Sequence, residues 1–553
     1  MKPALGVAAL ASVLGLASCA GTTLVEPQTA ASYGDYLSGR IANLRDDHAA
    51  AADRYFAALA RAPDDSALVN GALIASLASG DSVRARRAAR MAGRSEAPGY
   101  AYIVRASDAL VSGRWRGADQ QLALVEGAAA EELIARMLSV WARAGEGRVD
   151  DVIVDLAPLA SIRPYGGLFA YQQAMALDYA GRQQEALAAY AAAQQGGLWL
   201  PAGIERHADL LARSGDREQA SALLYSDANR SNPALMAALA RIEAGGAPAA
   251  ATLNPARGAA VGLYGLAAIF LQEADSTNGL TALTLAVMLD PDFDGARLAF
   301  AQSQSDLGHA ELARAALAGI APTSPYASSA RIMESWVLLE SGEQEAALAL
   351  ARANAENGDV RAQRTLADMY RSLDRFEDAE PLYAGLISLQ PTDWRLHFAR
   401  GAARAHLGRW PEAEADMQRA LQLSPEQPDV MNFLGYSWVD RGERLAEGLA
   451  MIERAAVLRP MSGAIIDSLG WAHFRLGDYA RALDILERAV ELEPADPTLN
   501  DHLGDAYWRV GRRIEARFQW QRALTFAPDY PSAIEAKLES GLPAEPAAQS
   551  VRR

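Results

Sequence analysis

The chain of 553 residues has one cysteine, Cys19, and two lysines, Lys2 and Lys537. A lone cysteine excludes an intramolecular disulfide, a two-cysteine redox motif and any zinc site built on cysteines. Aromatic residues are scarce at 7%, and no run of basic residues occurs in a chain whose formal charge is −16. That balance argues against a nucleic-acid surface. The histidines at 48, 207, 309, 397, 406, 473 and 502 are scattered. None forms a zinc-binding HExxH, and no phosphate-binding GxxxxGK[ST] loop, GxGxxG turn or GxSxG elbow is present. No catalytic residue, metal ligand or cofactor is therefore assigned, and a non-enzymatic protein is expected. Acid–base pairs such as Asp501-His502 and Asp467-Ser468 read as surface polar residues on helices. What is plentiful is alanine, 119 of the 553 residues, which favours helices and their close approach.

The N-terminus carries Lys2, an apolar run from Ala4 to Leu16, and then Leu16-Ala17-Ser18-Cys19. The run is too short to span a bilayer as a mature helix and reads as a secretory signal over 1–18. The residues up to Cys19 resemble a bacterial lipobox, in which the cysteine is acylated and becomes the mature N-terminus. Two or more acyl chains give stable anchoring. Ala20 rather than aspartate follows the cysteine; by resemblance to lipoprotein sorting in Gram-negative bacteria, this implies the outer membrane. Residues 19–32 then form a lipidated tether. No later apolar run is long enough to span a membrane, so the remainder is expected in the periplasm.

Internal repetition organises the rest. Prolines recur at 391, 425, 460, 494 and 528, at spacings of 34, 35, 34 and 34. Glycines recur at 401, 435, 470 and 504, and again at 408, 442, 477 and 511; alanines recur at 420, 455, 489 and 523. This period with these small residues is the tetratricopeptide signature. Gly470 and Ala489 let the two helices of one unit approach. Gly477 ends the first helix, Asp478 caps the second, and Pro494 stops it. The N-terminal half repeats more weakly, with turn glycines at 80, 113, 145, 181, 215, 308 and 342. One full unit there contains Gly39, Ala51, Tyr55, Ala58 and Pro63. The phase breaks at 244–258 and again at 319–325.

A helix pair of this kind cannot bury its apolar face alone, so neighbours must stack. The expected fold is all-α: a right-handed tetratricopeptide-repeat superhelical solenoid of about 14–15 helix pairs. The expected divisions are an N-terminal solenoid over 33–243, an irregular junction at 244–258, a C-terminal solenoid with a cap helix over 259–540, and a disordered tail over 541–553. In such repeats the first helix of each pair lines the concave groove at positions four apart. The glycines at 435, 470 and 504 fix that phase. The candidate groove residues are Asn432, Tyr436 and Asp440; Asp467, Trp471 and Arg475; and Asp501, Asp505 and Arg509. Carboxylates and arginines on such a stripe suit ionic contacts with a protein segment, and the rings supply apolar area.

The segments NFLGYSWVD (432–440), DSLGWAHFRLGDYARAL (467–483) and DHLGDAYWRVGRRIEA (501–516) resemble a family of long tetratricopeptide outer-membrane lipoproteins of Gram-negative bacteria. The close resemblance covers about residues 390–530. It implies an adaptor that binds a periplasmic carboxy-terminal-processing protease and brings cell-wall hydrolases to it. The expected function is thus an outer-membrane-anchored scaffold, attached through Cys19, with protein partners in its groove. The alternative is an assembly or pilotin-like factor for an envelope machine. The familiar lysine-based carboxylate clamp is absent, since Lys537 is the only lysine after the signal. The oligomeric state is not read from the sequence.

Overall fold

The computed structural model describes residues 27–93, 97–195, 198–246 and 253–543. The expected signal, Cys19 and residues 20–26 of the tether lie outside these, as do residues 544–553 of the tail. The first helix, Pro27–Asn43, begins inside the stretch read as tether. Among the described residues there are thirty α-helices and no strand. The all-α class, made of short tetratricopeptide-type helices, is the one the repeat predicts.

The punctuation works as the residue types require. Gly477 closes the helix Gly463–Arg475 at φ +83°, and the side chain of Asp478 accepts from Arg481 N at 3.4 Å. The next helix, Tyr479–Leu492, ends two residues before Pro494. One expected turn glycine is displaced. Gly145 is the last residue of the helix Ala129–Gly145, and Gly147 takes the left-handed turn at φ +79°. Elsewhere Asp46, Ala274 and Asp374 hold the same turn position at φ +59°, +60° and +56°. At these three positions the turn is made without a glycine.

The chain divides into two compact units, 1–350 and 351–553. The division lies beyond the junction read at 244–258. At that junction the helix Pro233–Glu243 ends and the helix Pro255–Gln272 starts, capped by Asn254, whose side chain accepts from Arg257 N at 2.9 Å. Residues 259–350, expected with the C-terminal solenoid, are thus part of the first unit.

The first unit is not a simple stack of neighbours. The helices Pro255–Gln272 and Ser276–Leu289 return to pack on the helices Ser66–Ala78, Gly99–Val111 and Ala129–Gly145, and the former also packs on Gly166–Tyr179. Both are apolar nearly all round, as a fully enclosed helix must be. A stripe of small residues permits the approach. A methyl group added at Gly258 would lie 2.3 Å from Trp141, one at Gly262 would lie 2.4 Å from Met137, and one at Gly265 would lie 2.4 Å from Leu168. Polar contacts pin the return. The Tyr100 hydroxyl donates to Asn278 Oδ1 at 2.7 Å and Ser276 Oγ donates to Asp46 Oδ1 at 3.2 Å, while on the helix that follows Gln304 Nε2 donates to Ala78 O at 2.9 Å.

The second unit is built from consecutive pairs. Four of its first helices present a glycine to the second helix of the same pair: Gly401 faces Met417, Gly435 faces the Gly448 carbonyl, Gly470 faces Leu486 and Gly504 faces Trp520. Ala420, Ala455, Ala489 and Ala523 are fully buried, as the alanine series predicts.

Candidate protein-binding groove

The helices Pro428–Asp440, Gly463–Arg475 and Pro497–Arg509 are the first helices of three successive pairs in the second unit. Residues four apart share a helical face, so each trio lies on one face. Within this set the structure separates two groups. Asn432, Tyr436, Trp471 and Arg509 are partly exposed, and Asp440 and Arg475 are exposed. Asp467, Asp501 and Asp505 are buried, at 5%, 4% and 4% exposure.

The three buried carboxylates already have partners. His502 Nδ1 lies 2.8 Å from Asp467 Oδ2. With a carboxylate as acceptor, that nitrogen carries the proton. Burial disfavours the imidazolium, but the Asp467 charge and hydrogen bond outweigh it, and the His502 pKa is raised. Lys537 Nζ, on the last helix Pro531–Ser540, donates to both Asp501 oxygens at 2.8 Å and to Asp505 Oδ2 at 2.9 Å. Trp520 Nε1 donates to Asp505 Oδ1 at 2.9 Å. Burial lowers the Lys537 pKa, yet the two aspartates raise it overall; Asp505 is raised by burial despite the Lys537 charge. The expectation that these three aspartates meet a partner's charges is therefore corrected: each is spent inside the chain. The reading of Asp467, Ser468, Asp501 and His502 as surface residues is corrected likewise, since all four are buried.

What remains open is aromatic. The Trp471 ring stacks on His502 at 4.0 Å between centroids and on Phe474 at 4.7 Å, with interplanar angles of 16° and 8°. Tyr436 is half-buried beside them, its hydroxyl pushed up to about 12 by burial first and then by Asp440. Tyr530 is exposed and its hydroxyl lies 3.3 Å from Thr498 Oγ1. Arg475 pairs with the Asp440 carboxylate and donates to the Asp440 carbonyl at 2.8 Å. Arg509 Nη1 donates to the Pro543 carbonyl at 2.9 Å. Trp471 Nε1 is buried without a hydrogen-bond partner. Such orphaned donors are uncommon in folded proteins.

Sequence reasoning missed His502, Lys537 and Tyr530. The signal was present for two of them: Asp467 to His502 spans 35 residues and Asp501 to Lys537 spans 36, one repeat plus a register step. The Asp467–His502 pair has the look of an acid–base dyad, but the neighbouring Ser468 Oγ donates to Ala464 O in its own helix at 3.0 Å. Among the described residues no group of three His, Cys, Asp or Glu side chains is placed to hold a metal ion. No helix there is long and apolar enough to cross a membrane.

In the first unit the 255–289 helices pack on the first helices Ser66–Ala78, Gly99–Val111 and Ala129–Gly145 of its earlier pairs. That unit does hold a cavity of about 460 Å³. Tyr264 and Phe293 line it, together with the ion pairs Arg241–Asp209 at 3.0 Å and Arg257–Asp290 at 2.9 Å.

The family model of the tetratricopeptide repeat matches residues 364–428 and 468–532. A TPR repeat-containing protein of Pseudomonas aeruginosa is 30% identical over 156 residues, 28% of this chain and 26% of the relative. A protein O-mannosyl-transferase, Tmtc1, of Drosophila melanogaster is 37% identical over 103 residues, 17% of this chain. The chain thus spans only 26% and 12% of the length of these two relatives. Among solved structures, a tetratricopeptide repeat protein from Parabacteroides merdae covers 44% of this chain and 97% of its own, with 16% identity and a TM-score of 0.39. With its glycine-spaced helix pairs and these two matched segments, the second unit is built of tetratricopeptide repeats.

Proposed function

We propose that the chain is a non-enzymatic scaffold that holds protein segments on the first-helix face of its second unit. One observation carries this reading. The face presents a stacked aromatic shelf, Phe474–Trp471–His502, and the partly exposed Tyr436, while Asp467 and Asp501 are paired from within the chain. Recognition there is led by apolar anchors. Exposed ion pairs such as Arg475–Asp440 contribute only about 0–1 kcal/mol each, whereas buried aromatics dominate interfaces. The lipobox-like Leu16–Cys19 supports acylation at Cys19 and a place on the periplasmic face of the outer membrane. The resemblance of residues 390–530 supports an adaptor role toward a carboxy-terminal-processing protease and its cell-wall hydrolase substrates.

The test is a quantitative capture from crosslinked envelopes with the parent chain and with Tyr436→Ala/Trp471→Ala. Capture should fall at least tenfold, about 1.4 kcal/mol, with helix content by circular dichroism unchanged. Unchanged capture by a folded variant moves the binding site off this face. A captured set of protease and hydrolases supports the adaptor; a secretin or barrel-assembly set instead selects an assembly factor. The anchor is tested apart. Cys19→Ser should lose radiolabelled palmitate and outer-membrane fractionation, and retention of both rejects the acylated cysteine.

A further inference from the structure

The first described helix, Pro27–Asn43, packs on the helix His48–Leu59 and leaves its opposite side open. Tyr33, Leu37 and Ile41 on it, and Leu44 just past its end, are 64%, 54%, 51% and 82% exposed. At about 100° per residue these four project within an arc of roughly 80°. A large-residue stripe of this kind is unusual outside a contact surface. The charges on that side have one sign. Arg40 lies about 20° beyond one edge of the arc, Arg45 follows just past the helix end, and both are exposed. Neither is in an ion pair among the described residues. The acid of the same helix, Asp35, points the other way, into ion pairs with Arg54 of the next helix and Arg61 just past its end, at 3.5 and 2.5 Å. In a chain of net charge −16, a helix side with flanking arginines, apolar side chains and a tyrosine, and no carboxylate of its own, departs sharply from the average; an acid outside the helix, Asp65, lines a pocket beside Tyr33.

We infer that this stripe lies on the membrane, with Leu37, Ile41 and Leu44 in the headgroup–acyl boundary and Arg40 and Arg45 on anionic lipid phosphates. An amphipathic helix with basic residues beside its apolar face binds an interface in this way, and tyrosine favours the headgroup level. The inference rests on the anchoring at Cys19 proposed above. Only seven residues separate Cys19 from Pro27, which limits the gap to about 28 Å even if fully extended. The same bilayer that holds the acyl chains is therefore always within reach of the stripe. The helix then fixes the orientation of the first unit relative to the membrane, which acyl chains on a tether do not.

The experiment uses the full-length chain purified from membranes of expressing cells and placed in vesicles of phosphatidylethanolamine and phosphatidylglycerol. One sample carries Leu44→Cys and another Ser38→Cys, each labelled with an environment-sensitive fluorophore. Ser38 is exposed on the same helix, roughly 100° from the centre of the stripe. Nitroxide-bearing lipids should quench the label at 44 at least twofold more than the label at 38. Adding Leu37→Glu and Ile41→Glu should erase that difference without loss of helix content. Replacing phosphatidylglycerol by neutral lipid should shrink it. The mass of each sample reads acylation of Cys19 separately. An acylated chain with equal quenching at both positions overturns the docked stripe and leaves the anchor intact. An unacylated chain, labelled after Cys19→Ser, that keeps the difference overturns the anchor and leaves the stripe. Equal quenching without acylation overturns both.

Discussion

The two units use the same helix pair and arrive at different kinds of stability. In the second unit each pair leans on its neighbours, and its ties reach about one repeat along the chain: Asp467 to His502, Asp440 to Arg475, Asp501 to Lys537. In the first unit the decisive contacts join residues far apart in sequence. Tyr100 bonds Asn278, Ala78 bonds Gln304, and Ser276 donates to Asp46 Oδ1 at 3.2 Å. A linear repeat array loses stability locally, because each interface involves only adjacent units. A unit closed by returning helices should behave as one cooperative block. The contrast also separates two roles for the inner face: filled by the chain itself in one unit, open with an aromatic shelf in the other.

The sharpest break in that comparison is at the end of the second unit. Lys537→Met leaves Asp501 and Asp505 buried without their cation, and removing one partner of a buried pair costs about 3–5 kcal/mol. Protection of the amides over 497–540 against hydrogen exchange should collapse while that of residues 27–350 stays unchanged. Restoring neutrality with Asp501→Asn and Asp505→Asn should recover much of the loss. A uniform loss across both units would contradict the local character argued for the second.

Acidity sharpens the contrast. His207, in the first unit, is pushed down to about 4 by burial, and His48 is lowered by burial as well. A histidine with a lowered folded pKa contributes stability above its unfolded pKa of about 6.5, and that contribution is lost as pH falls toward 4. For His207 the loss is about 3 kcal/mol. His502 has the opposite sign: its folded pKa is raised, so its contribution is full below about 6.5 and is lost as pH rises through the folded value. Denaturant melts between pH 4 and 8 should show the first unit weakening toward acid. His502→Gln should remove the part of the second unit's stability that declines toward alkali. A second-unit profile unaltered by His502→Gln would discard the Asp467 pairing as a stabilising contact.

Close packing gives the next test. Gly258→Leu and Gly470→Leu both drive a side chain into a neighbour, Trp141 in one unit and Leu486 in the other. Overpacking costs about 1–3 kcal/mol. Proteolysis should open the first variant throughout residues 66–289 and the second only near 440–520. The smallest effect concerns the left-handed turns. Ala274→Gly in the first unit and Asp374→Gly in the second relieve a conformation that costs an L-residue about 1–2 kcal/mol. Allowing for the chain freedom glycine adds, each should gain up to about 1 kcal/mol, less for Asp374 because aspartate tolerates that region better. Melting temperatures of the two variants read the gain.

The second unit was largely legible in the sequence, because its design is local. Glycines facing the partner helix, fully buried alanines and a proline beyond each second helix recur in register, and each acts within one unit. The return of the 255–289 helices was not legible. Their alanines, leucines and glycines look like those of any repeat, and nothing in the spacing says that Gly258 meets Trp141 rather than a sequence neighbour. The three trios lie on the first helices that the phase predicts, while their charges were misread. A stripe of aspartates at 467, 501 and 505 looks the same whether it awaits a partner or is satisfied by His502 and Lys537. What decides is the three-dimensional step of one repeat that brings those cations onto the same face.

The scarcity of lysine has a practical consequence. Lys537 is the single primary side-chain amine among the described residues, and its nitrogen is held by three carboxylate oxygens. Protonated and enclosed, it is a poor nucleophile until the last helix lifts away. Its rate of acetylation in dilute reagent therefore counts the openings of the terminal repeat, with no other side-chain amine among the described residues and no probe added to the chain.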